Sequence, residues 1–128
     1  MKQLRHFIIL PFLILLFGCS EEDSNLSTNY PNGLVNSWVE SYEESPGVYR
    51  PSGFMTFPSS RFRQVYTFNK DGSCEFLVLS SVDAHYIQYG KWQYDDENKM
   101  IRIYDADNHL LRDLEVKSIN ATKLVLVM

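Results

Sequence analysis

The distribution of apolar and polar residues changes at residue 34, after which short apolar runs alternate with clusters of turn residues. The runs are rich in Val, Ile, Tyr, Phe and Trp, and none keeps helical periodicity over the ~12 residues that a helix typically needs. Strands are predicted at residues 34–42, 64–68, 74–79, 86–94, 100–104, 111–118 and 123–127, with an eighth at 48–50. The pattern therefore predicts an all-β domain of seven or eight strands.

The connections between most of these strands are short and built from turn-forming residues. Residues 69–72 read Asn-Lys-Asp-Gly and end in the dipeptide that most strongly indicates a hairpin. Residues 95–98 and 105–108 are turns of similar length, rich in Asp and Asn. Strands joined by short connections are antiparallel neighbours, and a long meander closes on itself to remove its edges. We expect a small antiparallel meander that closes into a barrel, with its last strand near its first.

Four short motifs follow one another along this domain. Residues 36–38 are Asn-Ser-Trp, residues 68–72 are Phe-Asn-Lys-Asp-Gly, residues 90–94 are Gly-Lys-Trp-Gln-Tyr and residues 100–103 are Met-Ile-Arg-Ile. Their order resembles that of the small lipocalin-like domains common in bacterial lipoproteins, with Asn36 where that family often has Gly. The resemblance covers residues 34–128. It implies a lipocalin-like barrel of seven or eight strands that binds a small apolar or amphipathic ligand.

The N-terminal segment has the three parts of a secretory signal: the basic residues Lys2 and Arg5, an apolar run at 7–17, and Gly18 as the small residue before Cys19. The run has eleven residues and would span only ~17 Å as a helix, short of the ~30 Å hydrocarbon core. A cysteine directly after the small residue resembles a bacterial lipoprotein signal. The resemblance implies that residues 1–18 are cleaved and that Cys19 is lipidated, so that the lipid binds the chain to a membrane.

Residues 19–33 are acidic and polar, which is typical of a flexible tether between the lipid and the domain. Ser20, and not Asp, follows Cys19, and by resemblance this favours the outer membrane over the inner one. The acidic residues at 21–23 resemble the export signal of surface-exposed lipoproteins, although a solvated spacer would have the same composition. We expect a lipid-anchored protein of the outer membrane, on its periplasmic face or at the cell surface.

Charge and cysteine content narrow the possible partners. Without Lys2 and Arg5 the mature chain has ten basic and sixteen acidic residues, a net charge of −6, which argues against nucleic acid as a partner. Lipidation of Cys19 leaves Cys74 without a partner for an intrachain disulfide, so we expect Cys74 to be a small buried apolar residue. The domain must then derive its stability from its core.

The proline-rich segment at 43–63 contains the candidate ligand-binding residues Arg50, Arg61 and Arg63. Paired guanidinium groups suit a carboxylate or a phosphate, and a long segment without regular structure is often functional. The alternative is local: the arginines bond acidic side chains or carbonyls and fix the loop over a barrel mouth. Trp92 is the fourth candidate, and it either packs in the core on the same face as Gly90 or stacks on a ligand.

No motif in the chain predicts catalysis, a cofactor or a metal site. The Gly-x-Ser-x-Gly, Walker and His-Glu-x-x-His patterns do not occur, and Asp83, His85 and His109 are too few to predict a metal site. We therefore expect a non-enzymatic protein. Two functions remain open: a binding module for a small amphipathic ligand, and a protein-interaction or inhibitor module of the cell envelope with a filled barrel and no ligand.

Overall fold

A computed structural model of the protein describes residues 29–82 and 84–128, so the predicted signal peptide, Cys19 and most of the tether lie outside it. Eight strands are present: β1 (Ser37–Glu40), β2 (Val48–Pro51), β3 (Val65–Phe68), β4 (Ser73–Leu79), β5 (His85–Asp95), β6 (Met100–Tyr104), β7 (Leu110–Asn120) and β8 (Lys123–Leu126). They pair antiparallel and close into a barrel, which confirms the predicted all-β class and strand number. Within this part of the chain no helical segment has the length and hydropathy needed to cross a bilayer.

The order of strands around the barrel is β1-β2-β8-β7-β6-β5-β4-β3. Strands β3 to β8 form the predicted meander, but the last strand pairs with β2 and not with β1, because β1 lies between β2 and β3. Since β2 and β3 are both antiparallel to β1, they run in the same direction, and the segment between them must cross from one end of the barrel to the other. Residues 52–64 make this crossing along β1.

Turn chemistry explains the hairpin between β3 and β4. Asp71 accepts hydrogen bonds from both the backbone N–H and the hydroxyl of Ser73, at 2.9 and 2.6 Å, and Gly72 donates to the carbonyl of Asn69 at 3.1 Å. Gly72 has a φ of 87°, in the left-handed region that favours glycine. The Asp-Gly pair therefore fixes the register in which Phe68 lies opposite Cys74.

Aromatic side chains fill the barrel in a continuous series. Ring centroids lie 5.8 Å apart for Tyr49 and Tyr66, 6.0 Å for Tyr66 and Phe68, and 5.2 Å for Phe68 and Trp92. Tyr30, from the predicted tether, extends the series by packing 5.2 Å from Trp92, so the packed domain includes residues before 34.

Trp38 and Cys74 are also buried in this core. Burial, with a smaller contribution from the charge of Glu75, raises the pKa of the Cys74 thiol to about 11, which disfavours its reactive thiolate.

The backbones of β5 and β6 approach each other closely at Gly90. A Cβ atom added there would lie 2.6 Å from the carbonyl oxygen of Tyr104 and 3.3 Å from Cγ2 of Ile103. Both obstacles belong to the buried sheet, so they cannot move aside without disturbing the pairing of β5 with β6.

We expect Gly90→Ala to lower the free energy of unfolding by about 2 kcal/mol, within the range for overpacked cores. Gly53→Ala is the matched control, because a Cβ atom at Gly53 meets nothing within 4 Å. Urea denaturation of both variants measures the difference. Equal stability of the two variants would contradict the close approach.

Candidate functional site

The candidate arginine Arg50 is bound by a carboxylate of the same chain. Arg50 donates to both oxygens of Glu44 at 2.8 and 2.6 Å, and to the carbonyl of Thr122 at 3.1 Å. Its guanidinium also lies 4.6 Å from the centroid of the Phe54 ring. The hydrogen bond from Arg50, assisted by Ser41, lowers the pKa of Glu44 to about 2. Stabilisation from this pair is present above the ordinary glutamate pKa of 4.5 and is lost as the pH falls towards about 2.

Arg63 fixes the segment that crosses from β2 to β3, residues 52–64, which we call the crossover segment. Its guanidinium donates to both oxygens of Glu43 and, at 2.8 Å each, to the carbonyls of Glu40 and Pro58. This guanidinium lies between the rings of Tyr42 and Phe57, at 4.6 and 5.5 Å from their centroids. The hydrogen bond from Arg63 lowers the pKa of Glu43. These contacts support the alternative in which the arginine holds the loop, and its binding of an external anion stays a prediction.

Arg50 and Arg63 bind different carboxylates, those of Glu44 and Glu43. Arg61 is exposed, whereas the side chain of Arg63 is only 10% exposed, and both precede β3 in a segment without regular structure. Trp92 is 4% exposed and donates to the carbonyl of Asn69 at 2.9 Å, as expected for a core residue.

A groove of about 530 Å³ lies on the outer side of β2 and β8, and it is lined by Ser45, Pro46, Val48, Lys117 and residues 125–128. None of the four candidate residues lines this groove.

An apolar ribbon is the most prominent surface that the sequence analysis did not single out. We define the ribbon as residues 77–79 of β4 and 85–89 of β5, which extend beyond the strands that flank them. Its outer face carries Leu79, Ile87 and Tyr89, with exposed fractions of 43, 52 and 70%. Its inner face continues the barrel interior and carries Val78 opposite Tyr86. Contiguous exposed apolar side chains of this kind mark interaction surfaces.

One edge of the ribbon has unpaired main-chain groups. Trp92 donates its backbone N–H to the carbonyl of Gly72, so alternate residues of β5 direct their N–H and C=O groups towards β4. His85, Ile87 and Tyr89 lie between these residues, and their N–H and C=O groups point away from β4. There β6 pairs with β5 only from Lys91 onward, and the described residues place no other strand beside this edge. The β4 edge differs, because Gln64 donates its side-chain amide to the carbonyl of Leu77 at 2.8 Å.

A second unexpected group lies inside the barrel, towards the end where the ribbon projects. Arg112 pairs in register with the buried Ile103, so its side chain faces inward, and its guanidinium lies 5.1 Å from the centroid of the Phe76 ring. Its charge acts on the buried Tyr49 and Tyr66. Alternation along β7 places Arg112 on the same face as Leu114 and the buried Val116, and the choice of candidate residues did not use this signal.

The two histidines in the described part of the chain, His85 and His109, show no arrangement that requires a metal. His85 contacts the ring of Phe62, with 5.4 Å between ring centroids, and Asp83 lies outside the described residues. Ligand atoms of Asp105, Asp107 and His109 lie within 4.8 Å of one another in the exposed β6–β7 turn. Asp105 accepts the backbone N–H groups of the other two residues at 2.9 Å each, so the turn itself accounts for their proximity.

The fold thus defines a closed, eight-stranded antiparallel barrel with one projecting hairpin. No protein-family model matches the chain, and searches of curated proteins and of solved structures find no significant match.

We expect Arg63→Met to lower the free energy of unfolding by about 2 kcal/mol, because it leaves the partly buried carbonyl of Glu40, the carbonyl of Pro58 and the Glu43 carboxylate without their donor. Arg102→Met is the control, since Arg102 pairs with Asp95 and Asp113 at the surface and should contribute less than about 1 kcal/mol. Urea denaturation measures both. The opposite result would be that the natural chain binds succinate and that Arg61→Ala and Arg63→Met each abolish this binding without unfolding the protein. It would show that these arginines hold an external anion.

Proposed function

We propose that the protein is a lipid-anchored, non-enzymatic interaction module of the cell envelope, and that its apolar ribbon binds a partner protein. The observation that carries the proposal is the combination of exposed apolar side chains and unpaired main-chain groups on residues 85–89. An unpaired edge of this kind normally carries charges or proline to prevent association. Here its outward groups belong to His85, Ile87 and Tyr89, which offer no such protection.

The filled interior supports a partner at the surface. The aromatic series from Tyr30 to Tyr49 occupies the barrel along its length, and Trp92 and Phe68 are enclosed within it. A closed eight-stranded barrel is compatible with the lipocalin-like fold, and barrels of this size are wide enough either for their own side chains or for one small ligand. The ring contacts favour the first arrangement in the core itself.

The chemistry of the edge identifies the kind of partner. Main-chain N–H and C=O groups in alternation form hydrogen bonds with another extended polypeptide, which adds to the sheet as a further strand. The neighbouring Ile87 and Tyr89 would contact alternate side chains of that strand. We therefore propose that the partner presents an extended segment with apolar residues, and that this segment pairs with β5.

The lipid anchor rests on the N-terminal sequence. The apolar run at 7–17 followed by Gly18 and Cys19 favours cleavage before Cys19, and Ser20 favours the outer membrane. A lipidated chain held at the membrane meets envelope proteins at a high effective concentration, so a modest edge interaction is sufficient for complex formation.

We expect mass spectrometry of the mature protein to find an acylated Cys19 at its N-terminus. Cys19→Ser should retain residues 1–18 and carry no acyl chain, because the thiol that is acylated is missing. Cys74→Ser is the control and should be cleaved and acylated like the natural chain. A mature N-terminus at another residue would refute the lipoprotein assignment.

We expect a photo-crosslinking residue at Tyr89 to form a discrete adduct with one envelope protein in cells. Adding Ile87→Pro should abolish the adduct, because proline removes an N–H that faces away from β4 and leaves the β4–β5 hydrogen bonds intact. The purified partner should then bind the natural chain and not the Ile87→Pro variant. A photo-crosslinker at Asn98, in the exposed turn after β5, is the positional control.

The other outcomes of this experiment count against the proposal. No adduct at Tyr89, equal adducts at Tyr89 and Asn98, or adducts only between copies of this chain would each contradict a dedicated heterologous partner. Gln88→Pro should differ from Ile87→Pro by destabilising the ribbon, because the N–H of Gln88 faces β4.

Small-ligand binding remains a second candidate. The polar groups of Arg112, Tyr49 and Tyr66 favour it, since they face the interior at the ribbon end of the barrel.

A further inference from the structure

Two interior tyrosines carry hydroxyl groups at the ribbon end of the barrel. Tyr49 and Tyr66 are 5% and 3% exposed, and the hydroxyl of Tyr66 forms a hydrogen bond with Arg112. The hydroxyl of Tyr49 has no hydrogen-bond partner among the residues that the structure describes, whereas every fully buried side-chain nitrogen or oxygen among them has one. The Tyr49 hydroxyl is therefore not sealed inside the core, and it reaches a space that solvent can enter.

Arg112 differs from three other arginines of the domain in its lack of a carboxylate partner. Arg50, Arg63 and Arg102 each form an ion pair with a carboxylate, whereas no carboxylate in the described part of the chain lies within 4.0 Å of Arg112. Its guanidinium is half-buried and lies against the Phe76 ring. Its interaction with the Tyr66 hydroxyl uses only part of its donor capacity, so an inward-facing arginine without a counter-ion keeps further donors for an anion.

The surrounding groups define which anion fits. Burial raises the pKa values of Tyr49 and Tyr66, so both hydroxyls stay protonated and can donate across the physiological pH range. The one acidic group acting on both tyrosines is Glu40, whose carboxylate accepts the backbone N–H of Gln64 at 3.3 Å. A singly charged ligand suits a site with one arginine and one opposing carboxylate better than a multiply charged phosphate does.

The inner face of the ribbon supplies an apolar path out of this site. Phe76 and Val78 follow each other on the inward face of β4, and Tyr86 lies opposite Val78 on β5. Val78 packs against the core, and Tyr86 is 48% exposed. A molecule with a charged head and an apolar body can therefore contact the arginine and these side chains together.

We propose that the ribbon end of the barrel binds a monocarboxylate with an apolar body. Arg112 receives the carboxylate, the hydroxyls of Tyr49 and Tyr66 donate to it, and Phe76, Val78 and Tyr86 contact the apolar part. This site specifies the second candidate function, small-ligand binding. It uses the inner face of the ribbon, whereas the proposed protein partner uses the outer face and the β5 edge.

The test measures 3-phenylpropanoate binding to the full chain in phosphatidylcholine nanodiscs by isothermal titration calorimetry, with empty nanodiscs subtracted. The neutral 3-phenylpropanamide should bind at least about tenfold more weakly, and Arg112→Gln should weaken carboxylate binding by a similar factor. Tyr66→Phe should weaken it about threefold. Arg102→Gln is the control, and it should bind like the natural chain because Arg102 already pairs with Asp95 and Asp113.

Glu40→Gln keeps the proposal testable if Arg112→Gln fails to fold. Removing the opposing charge should strengthen carboxylate binding about threefold, and a damaged fold would not produce a gain in affinity. Equal binding of the carboxylate and the amide, unchanged binding in Arg112→Gln, or no binding at the solubility limit of the probe would each overturn the proposal. Ile87→Pro should leave this binding intact, so the carboxylate site and the protein-binding edge can fail separately.

Discussion

The difference in length between β5 and β6 determines which surfaces of this barrel are available. β5 has 11 residues and β6 has 5, and their pairing begins only at Lys91. In a closed barrel each strand pairs its main-chain N–H and C=O groups with two neighbouring strands, but only where both neighbours are as long as the strand itself. Residues 85–89 extend beyond that length, so they pair with β4 alone and keep a row of donors and acceptors on the other side. The projecting ribbon and its two apolar faces follow from this mismatch.

The interior imposes the complementary constraint. Aromatic rings fill the barrel from Tyr30 to Tyr49, and the ion pair of Arg63 with Glu43 ties the crossover segment to the loop after β1. We therefore propose that binding takes place at the end where the ribbon projects. At that end the outer face and the β5 edge suit an extended polypeptide, whereas the inward groups of Arg112, Tyr49 and Tyr66 suit a carboxylate. The two proposals share the ribbon but use different faces of it.

Much of the fold could be predicted from the sequence because its signals are local. The Asp71-Gly72 pair specifies a hairpin, and the alternation at 100–104 specifies which residues of β6 are buried. The position of β8 beside β2 could not be predicted, since it depends on the path of the long segment between β2 and β3. Nothing in the local sequence shows that a proline-rich segment returns along β1.

The candidate sites were less predictable, for identifiable reasons. The anion hypothesis for Arg50 and Arg63 did not specify Glu44 and Glu43 as their partners, because that pairing depends on loop geometry. Arg112 shares the inward face of β7 with Leu114, so alternation does indicate its direction. Its contact with Phe76 on β4 could not be predicted, because it depends on how the strands are arranged around the closed barrel. The ribbon did leave a signal, since the predicted strand at 86–94 is longer than the one at 100–104 with which it pairs.

Amide hydrogen exchange of residues 85–89, followed by NMR, tests most directly whether the β5 edge is unpaired. The account predicts an alternating pattern, in which the amides of Tyr86 and Gln88 exchange on the order of 100-fold more slowly than those of His85, Ile87 and Tyr89. Uniform protection of all five amides would show that another segment covers the edge, and it would contradict the account.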